Sequence, residues 1–241
     1  LQELLDQLIL KIKILLNGYQ NIINFMELLL NSKIIVSDKK EKIKNAIILL
    51  HGYGGDGADI SSVAYSWKRF IDNTVFLCPD GHEACKLNPN GFQWFDLSID
   101  DNNYIISEVK KAETILINYI EQIKQKYNLK NSQIILSGFS QGCMMSINLG
   151  LICNESFKSV IGFSGKIIDK QDLEERIISK TDILLFHGDA DEVVPPSSLL
   201  EAKDFLERNK IKVEVNMINN CSHHIPIEAL SSALKYIKKI I

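Results

Sequence analysis

The stretch that decides the architecture reads Gln133-Ile-Ile-Leu-Ser137-Gly138-Phe139-Ser140-Gln141-Gly142 and runs on as Cys143-Met-Met-Ser-Ile-Asn-Leu-Gly-Leu-Ile-Cys153. Gln133–Ser137 is a short apolar run of the kind that forms a strand buried on both faces. Gln141–Cys153 has the length and apolar content of a helix. Between them stands G-x-S-x-G. A strand that reverses sharply into a helix forces the serine into strained backbone angles, and only glycine on either side avoids a clash. Such a turn leaves the serine Oγ exposed above a helix N-terminus, where developing negative charge is favoured. The bland reading is a glycine-rich turn whose serine caps the helix.

The same strand-then-helix rhythm extends in both directions. Ala46–Leu50, Thr74–Cys78, Ser159–Phe163, Asp182–Phe186 and Lys212–Met217 are further apolar strand runs, and Met26–Leu30 with Lys33–Val36 reads as an opening strand pair. Helical periodicity covers Asp59–Phe70, Tyr104–Tyr127, Ser197–Asn209 and Ile227–Ile241. Alternation at this spacing predicts an α/β chain with a mostly parallel central sheet and helices on both faces. In such sheets the chemistry gathers at the carboxyl ends of the strands.

Composition narrows the field. The 241 residues are 46% hydrophobic and 24% charged, with a net charge of −3, which excludes a disordered or fibrous chain and leaves no footprint for nucleic acid. Five cysteines, an odd number without any C-x-x-C pair, argue against a disulfide framework or zinc site. Reduced thiols point to a cytoplasmic protein. The leading segment, residues 1–24, reads as an amphipathic helical extension ahead of a domain over 25–241. Leu1, Leu4, Leu5, Leu8, Ile12 and Leu15 share one face, while Glu3, Asp6, Lys11 and Lys13 argue against a signal peptide or an integral membrane span. That face suits packing on the domain or on a second copy of the chain, as in a homodimer.

Serine needs a base, and the base needs an orienting acid. Asp182–Phe186 leads into His187-Gly-Asp189-Ala-Asp191-Glu-Val-Val-Pro195, which offers Asp189 and Asp191 at a strand end. Asp191 lies deeper in the loop and is the expected acid, with Asp189 tying down the loop backbone. Lys212–Met217 leads into Cys221-Ser222-His223-His224-Ile-Pro226, which offers two imidazoles. His187 and His51, each before a glycine, read as turn-fixing residues. A tetrahedral oxyanion needs two backbone N–H donors. Gln141, just after the serine, and Tyr53, in the turn His51-Gly-Tyr53-Gly-Gly-Asp-Gly57, stand where they are needed. No G-x-x-x-x-G-K-[ST] is present to make that turn a phosphate loop.

Together, Leu-His-Gly-Tyr-Gly-Gly-Asp-Gly, Gly-Phe-Ser-Gln-Gly, His-Gly-Asp-Ala-Asp-Glu-Val-Val-Pro and His-His-Ile-Pro resemble the phospholipase/carboxylesterase family of α/β hydrolases, which includes acyl-protein thioesterases. The resemblance covers about Phe25 to Ile241 and implies the α/β-hydrolase fold. It also implies a cofactor-free and metal-free hydrolase of small-molecule esters or acylated substrates. By position it carries the nucleophile to Ser140, the acid to Asp191 and the base to His223, with Tyr53 and Gln141 as oxyanion donors. Gly91-Phe-Gln-Trp94-Phe95-Asp96 matches the family's W-F-D segment beside the active site, so Trp94 and Phe95 are expected to wall a substrate pocket or to pack the core. One departure stands out: Ser222 occupies a position where the family has glycine. A left-handed backbone there would cost serine about 1–2 kcal/mol, and His224 stays open as the base.

Overall fold

The structure, a computed structural model, describes residues 27–39 and 41–241. The expected N-terminal helix lies outside them. Among the described residues seven strands form the central sheet: β1 (Ser32–Val36), β2 (Asn45–Leu50), β3 (Thr74–Pro79), β6 (Ile134–Phe139), β7 (Ser159–Phe163), β8 (Ile183–Gly188) and β9 (Val213–Ile218). Their spatial order is β1-β3-β2-β6-β7-β8-β9. Only β1 is antiparallel, paired with β3 through Ile34 opposite Leu77. A two-residue pair, β4 (Glu83–Ala84) and β5 (Phe92–Gln93), makes a small separate ribbon.

Among the described residues six helices flank the sheet: α1 (Gly57–Trp67), α2 (Asn102–Tyr127), α3 (Gln141–Ile152), α4 (Lys170–Arg176), α5 (Ser197–Arg208) and α6 (Ile227–Ile240). The period-two alternation of a strand decides which helices each side chain meets. Along β2, Ala46, Ile48 and Leu50 join a core with α2, α3 and α5. Ile47 and Leu49 join a second core with α1 and α6. The helix after the central strand, α3, is buried continuously from Gln141 to Leu151, because β6, β7 and α2 enclose it.

Two expectations differ from the structure. Residues 27–30 form no strand, although Leu30 is buried and Leu28 packs beside it. An apolar run can seal a core edge without entering a ladder, and β1 finds its partner in β3 instead. Gln133 belongs to a 3₁₀ turn over Asn131–Gln133 that feeds β6. The short helix α4, capped by Asp169 accepting from the Asp172 N–H, and the ribbon β4–β5 carry too few residues for a periodic signal.

Candidate active site

Ser140 sits at the carboxyl end of β6 with φ 51° and ψ −114°. Its N–H donates to the Phe163 carbonyl at 2.9 Å, which pins the strained residue to the neighbouring strand β7. The glycines around it are needed for close approach. A Cβ on Gly138 would run into the Gly142 backbone, and one on Gly142 into the Leu50 carbonyl. The Ser140 hydroxyl does not cap α3, so the helix-capping role fails. A non-glycine residue at positive φ costs on the order of 1–3 kcal/mol, a strain that clusters at functional sites.

Asp191 and His223 come from loops after β8 and β9 and meet at their tips. His223 Nδ1 lies 2.8 Å from Asp191 Oδ2. The other oxygen, Oδ1, accepts the N–H groups of Val193 and Val194, both at 2.9 Å. Burial works against charge on Asp191, but the bonds from His223, Val194 and Val193 outweigh it and hold the carboxyl below its ordinary range. Asp191 is 5% exposed, whereas Asp189 is exposed and accepts from the Cys221 N–H at 3.4 Å. His224 turns away: its Nδ1 is 3.1 Å from Ser222 Oγ and its Nε2 faces the Cys221 thiol. Ser222 is not among the residues at positive φ, so the missing family glycine brings no backbone strain. The His223 ring packs on Phe139, the residue before the serine, with centroids 4.8 Å apart.

The turn after β2 lies against the serine. A Cβ placed on Gly52 would be 3.4 Å from the Ser140 Cβ, so glycine keeps this approach open. Neither the Tyr53 nor the Gln141 N–H finds an acceptor among the described residues. For Gln141 that follows from its place at the start of α3, where N–H groups have no intrahelical partner.

Sequence reasoning missed what the Gln141 side chain does. Its Oε1 accepts the Trp94 N–H at 2.8 Å and its Nε2 donates to the Phe95 carbonyl at 2.7 Å. Trp94 in turn donates its indole N–H to the His51 carbonyl at 2.9 Å. The three segments are thus laced together by neutral buried bonds. Trp94 and Phe95 are 0% and 1% exposed and sit in the core, and neither lines the cavity beside His223. Asp96 anchors the same segment by accepting from Ser98, Tyr104 and Lys86. His51 fixes its turn as expected. Its Nε2 accepts the Gly81 N–H at 2.8 Å, so its Nδ1 carries the proton toward the Gly52 carbonyl at 2.7 Å. A cavity of about 360 Å³ opens between α1 and α6, with Tyr53, Phe139 and His223 in its wall.

The family model for phospholipase/carboxylesterase proteins matches residues 31–241. The chain belongs to the phospholipase/carboxylesterase family. It is a hydrolase of the carboxylesterase and thioesterase kind, with the α/β-hydrolase fold. Acyl-protein thioesterase 1 of Candida albicans is 25% identical over 214 residues, covering 82% of this chain and 93% of that protein. The Saccharomyces cerevisiae protein of the same name is 26% identical over 219 residues, covering 85% and 96%. Among solved structures, esterase PE8 superposes with a TM-score of 0.83 at 31% identity, covering 88% of this chain and 99% of that one. Acyl-protein thioesterase 2 of Zea mays superposes with a TM-score of 0.70 at 19% identity, covering 87% and 98%, a likeness of fold. No described helix is long and apolar enough to cross a membrane.

Proposed function

We propose that this hydrolase cleaves carboxylic esters of small to medium acyl or aryl substrates through Ser140, His223 and Asp191, with residues 25–241 as the catalytic unit. The observation that carries the reading is the 2.8 Å contact between His223 Nδ1 and Asp191 Oδ2, with the His223 ring packed on Phe139, the residue before the strained, uncapped Ser140. With Nδ1 held as the donor to Asp191, Nε2 is the basic nitrogen. It takes the Ser140 proton as Oγ attacks the carbonyl carbon. The N–H groups of Tyr53 and Gln141 receive the oxyanion. Collapse of the tetrahedral species expels the alcohol, which takes the proton from His223, and leaves an acyl-serine. Water then repeats the sequence, with His223 again as base and the acid leaving. Asp191 keeps the tautomer and offsets the imidazolium charge; no metal or cofactor enters.

The test is Ser140→Ala against an aryl ester of a short acid, alongside labelling of the wild-type chain with a fluorophosphonate. Turnover is expected to fall by about a millionfold, by analogy with loss of a serine-protease nucleophile. Labelling should map to Ser140. Near-normal turnover in the variant would remove Ser140 from its role. A folded but unlabelled wild-type chain would favour a silent, binding member of the fold.

A second reading, hydrolysis of acyl-protein thioesters, is favoured by the names of the fungal relatives. Lysophospholipid hydrolysis uses the same attack. A chain-length series of matched esters and thioesters separates the three.

A further inference from the structure

The cavity beside His223 has a position that says which half of the substrate it holds. Its floor and walls come from α1, through Ile60 and Val63, and from the chain around α6, through Ile225 and Leu230. His223 and Phe139 close the side toward the nucleophile, yet Ser140 itself is not part of the lining. Resting on the mechanism above, the imidazole delivers its proton to the departing atom. The departing group must therefore lie on the imidazole side of the scissile bond, while the acyl group stays with the serine.

We infer that the space between α1 and α6 is a leaving-group pocket, selecting an apolar alcohol that is uncharged or cationic. Its volume of about 360 Å³ sits at the small end of small-molecule sites and fits one aryl or branched alkyl group. Its charge sets the rest of the selection. Asp59 is in the wall, and no Lys or Arg among the described residues lines the space. The positive end of α1 is nearby, but Asp56 caps it by accepting the Asp59 N–H at 2.7 Å, and Asp59 itself sits in the first turn. An anionic leaving group would meet the Asp59 charge with no Lys or Arg in the lining to offset it, while the His223 imidazolium formed during attack is already paired with Asp191, so anions are disfavoured by repulsion.

The test holds the acyl group at acetyl and varies the phenol. Phenyl, 4-carboxyphenyl and 3-(trimethylammonio)phenyl acetates are compared, each rate divided by its hydroxide-catalysed rate to remove leaving-group acidity. For the wild type, corrected kcat/KM is expected to be about five- to tenfold lower for the carboxylate ester than for the cationic one. Asp59→Lys, at an exposed position, should reverse that order. Leu230→Trp, which fills the space, should lower kcat/KM for all three aryl esters. It should leave deacylation unchanged, read as the slow phase after the phenol burst, because the alcohol has gone by then. An order indifferent to Asp59→Lys, or a Leu230→Trp effect confined to deacylation, would overturn the assignment. Fluorophosphonate labelling at Ser140 is followed in every chain. If it persists while the leaving-group effects are missing, the pocket assignment alone falls. If it is missing from the wild type, the mechanism beneath it falls.

Discussion

His187 Nε2 lies 3.3 Å from the same Asp191 oxygen that receives His223. That nitrogen bonds to the Val194 carbonyl at 2.9 Å, which can only accept, so it carries the proton and gives it to that carbonyl. The buried Asp191 oxygen is therefore bonded by one imidazole and has a second packed against it.

His187→Leu leaves the buried Val194 carbonyl without its imidazole donor and loosens the loop that carries Asp191. An unpaired buried acceptor costs about 1–3 kcal/mol, so the urea midpoint should drop and kcat/KM should fall with it. His187→Gln, which keeps an N–H near the Nε2 position, should restore most of both. Urea unfolding and steady-state kinetics on the two variants check this. Unchanged stability and rate in His187→Leu would remove His187 from any part in placing Asp191.

The indole N–H of Trp94 donates to a buried carbonyl, that of His51. Trp94→Phe removes it and keeps most of the ring. A buried group left unpaired costs about 1–3 kcal/mol, so the urea midpoint should drop accordingly. The same change loosens the turn carrying Tyr53, and kcat should fall more than KM rises. Parallel denaturation and steady-state kinetics read both effects.

His51 links the fold to mildly acidic pH. Burial lowers its pKa from the ordinary 6.5, against smaller opposing effects of the Gly52 carbonyl and of Asp80. Between that lowered value and 6.5 the unfolded chain binds more protons, so stability rises with pH through this window and is complete above 6.5. Thermal midpoints should therefore decline as pH falls below 6.5. His82 is lowered by burial as well and adds to the decline. His51→Gln should flatten the slope without abolishing it. An unchanged slope would place the linkage elsewhere.

Arg176 on α4 reaches across to Glu113 on α2. Its Nη1 is 2.7 Å and its Nη2 3.2 Å from the two oxygens of Glu113, and its Nε is 2.9 Å from Asp172 Oδ2. Glu113, 4% exposed, also accepts from Asn148 on α3 at 2.9 Å. Arg176→Ala strands a carboxylate in the interior and should destabilise the chain by about 3–5 kcal/mol, as broken buried pairs do. Adding Glu113→Gln should recover part of that loss, and urea unfolding of the single and double variants measures it.

What was legible from residues alone follows burial. Ile47, Leu49 and their neighbours announce a strand because both faces of β2 are covered, leaving no polar alternation to confuse the pattern. G-x-S-x-G is legible because its glycines answer to backbone contacts made within a few residues and across β2. The run before β1 misled because leucines signal burial, and burial does not require pairing. Arg176 with Glu113, and the Gln141 amide with Trp94, were invisible because each joins positions far apart in the chain through polar atoms that follow no period. His187, standing before a glycine, reads as fixing its turn, and its bond to Val194 fits that; its nearness to Asp191 depends on how the loop folds back.

The backbone at residue 140 bears on how this chain could change over time. An inactive descendant would gain from exchanging that serine for glycine, which reaches φ 51° without penalty. A serine kept in so uncomfortable a conformation is thus a standing sacrifice of robustness. A lineage released from making the attack would drift toward a more heat-tolerant, chemically idle protein at this very position.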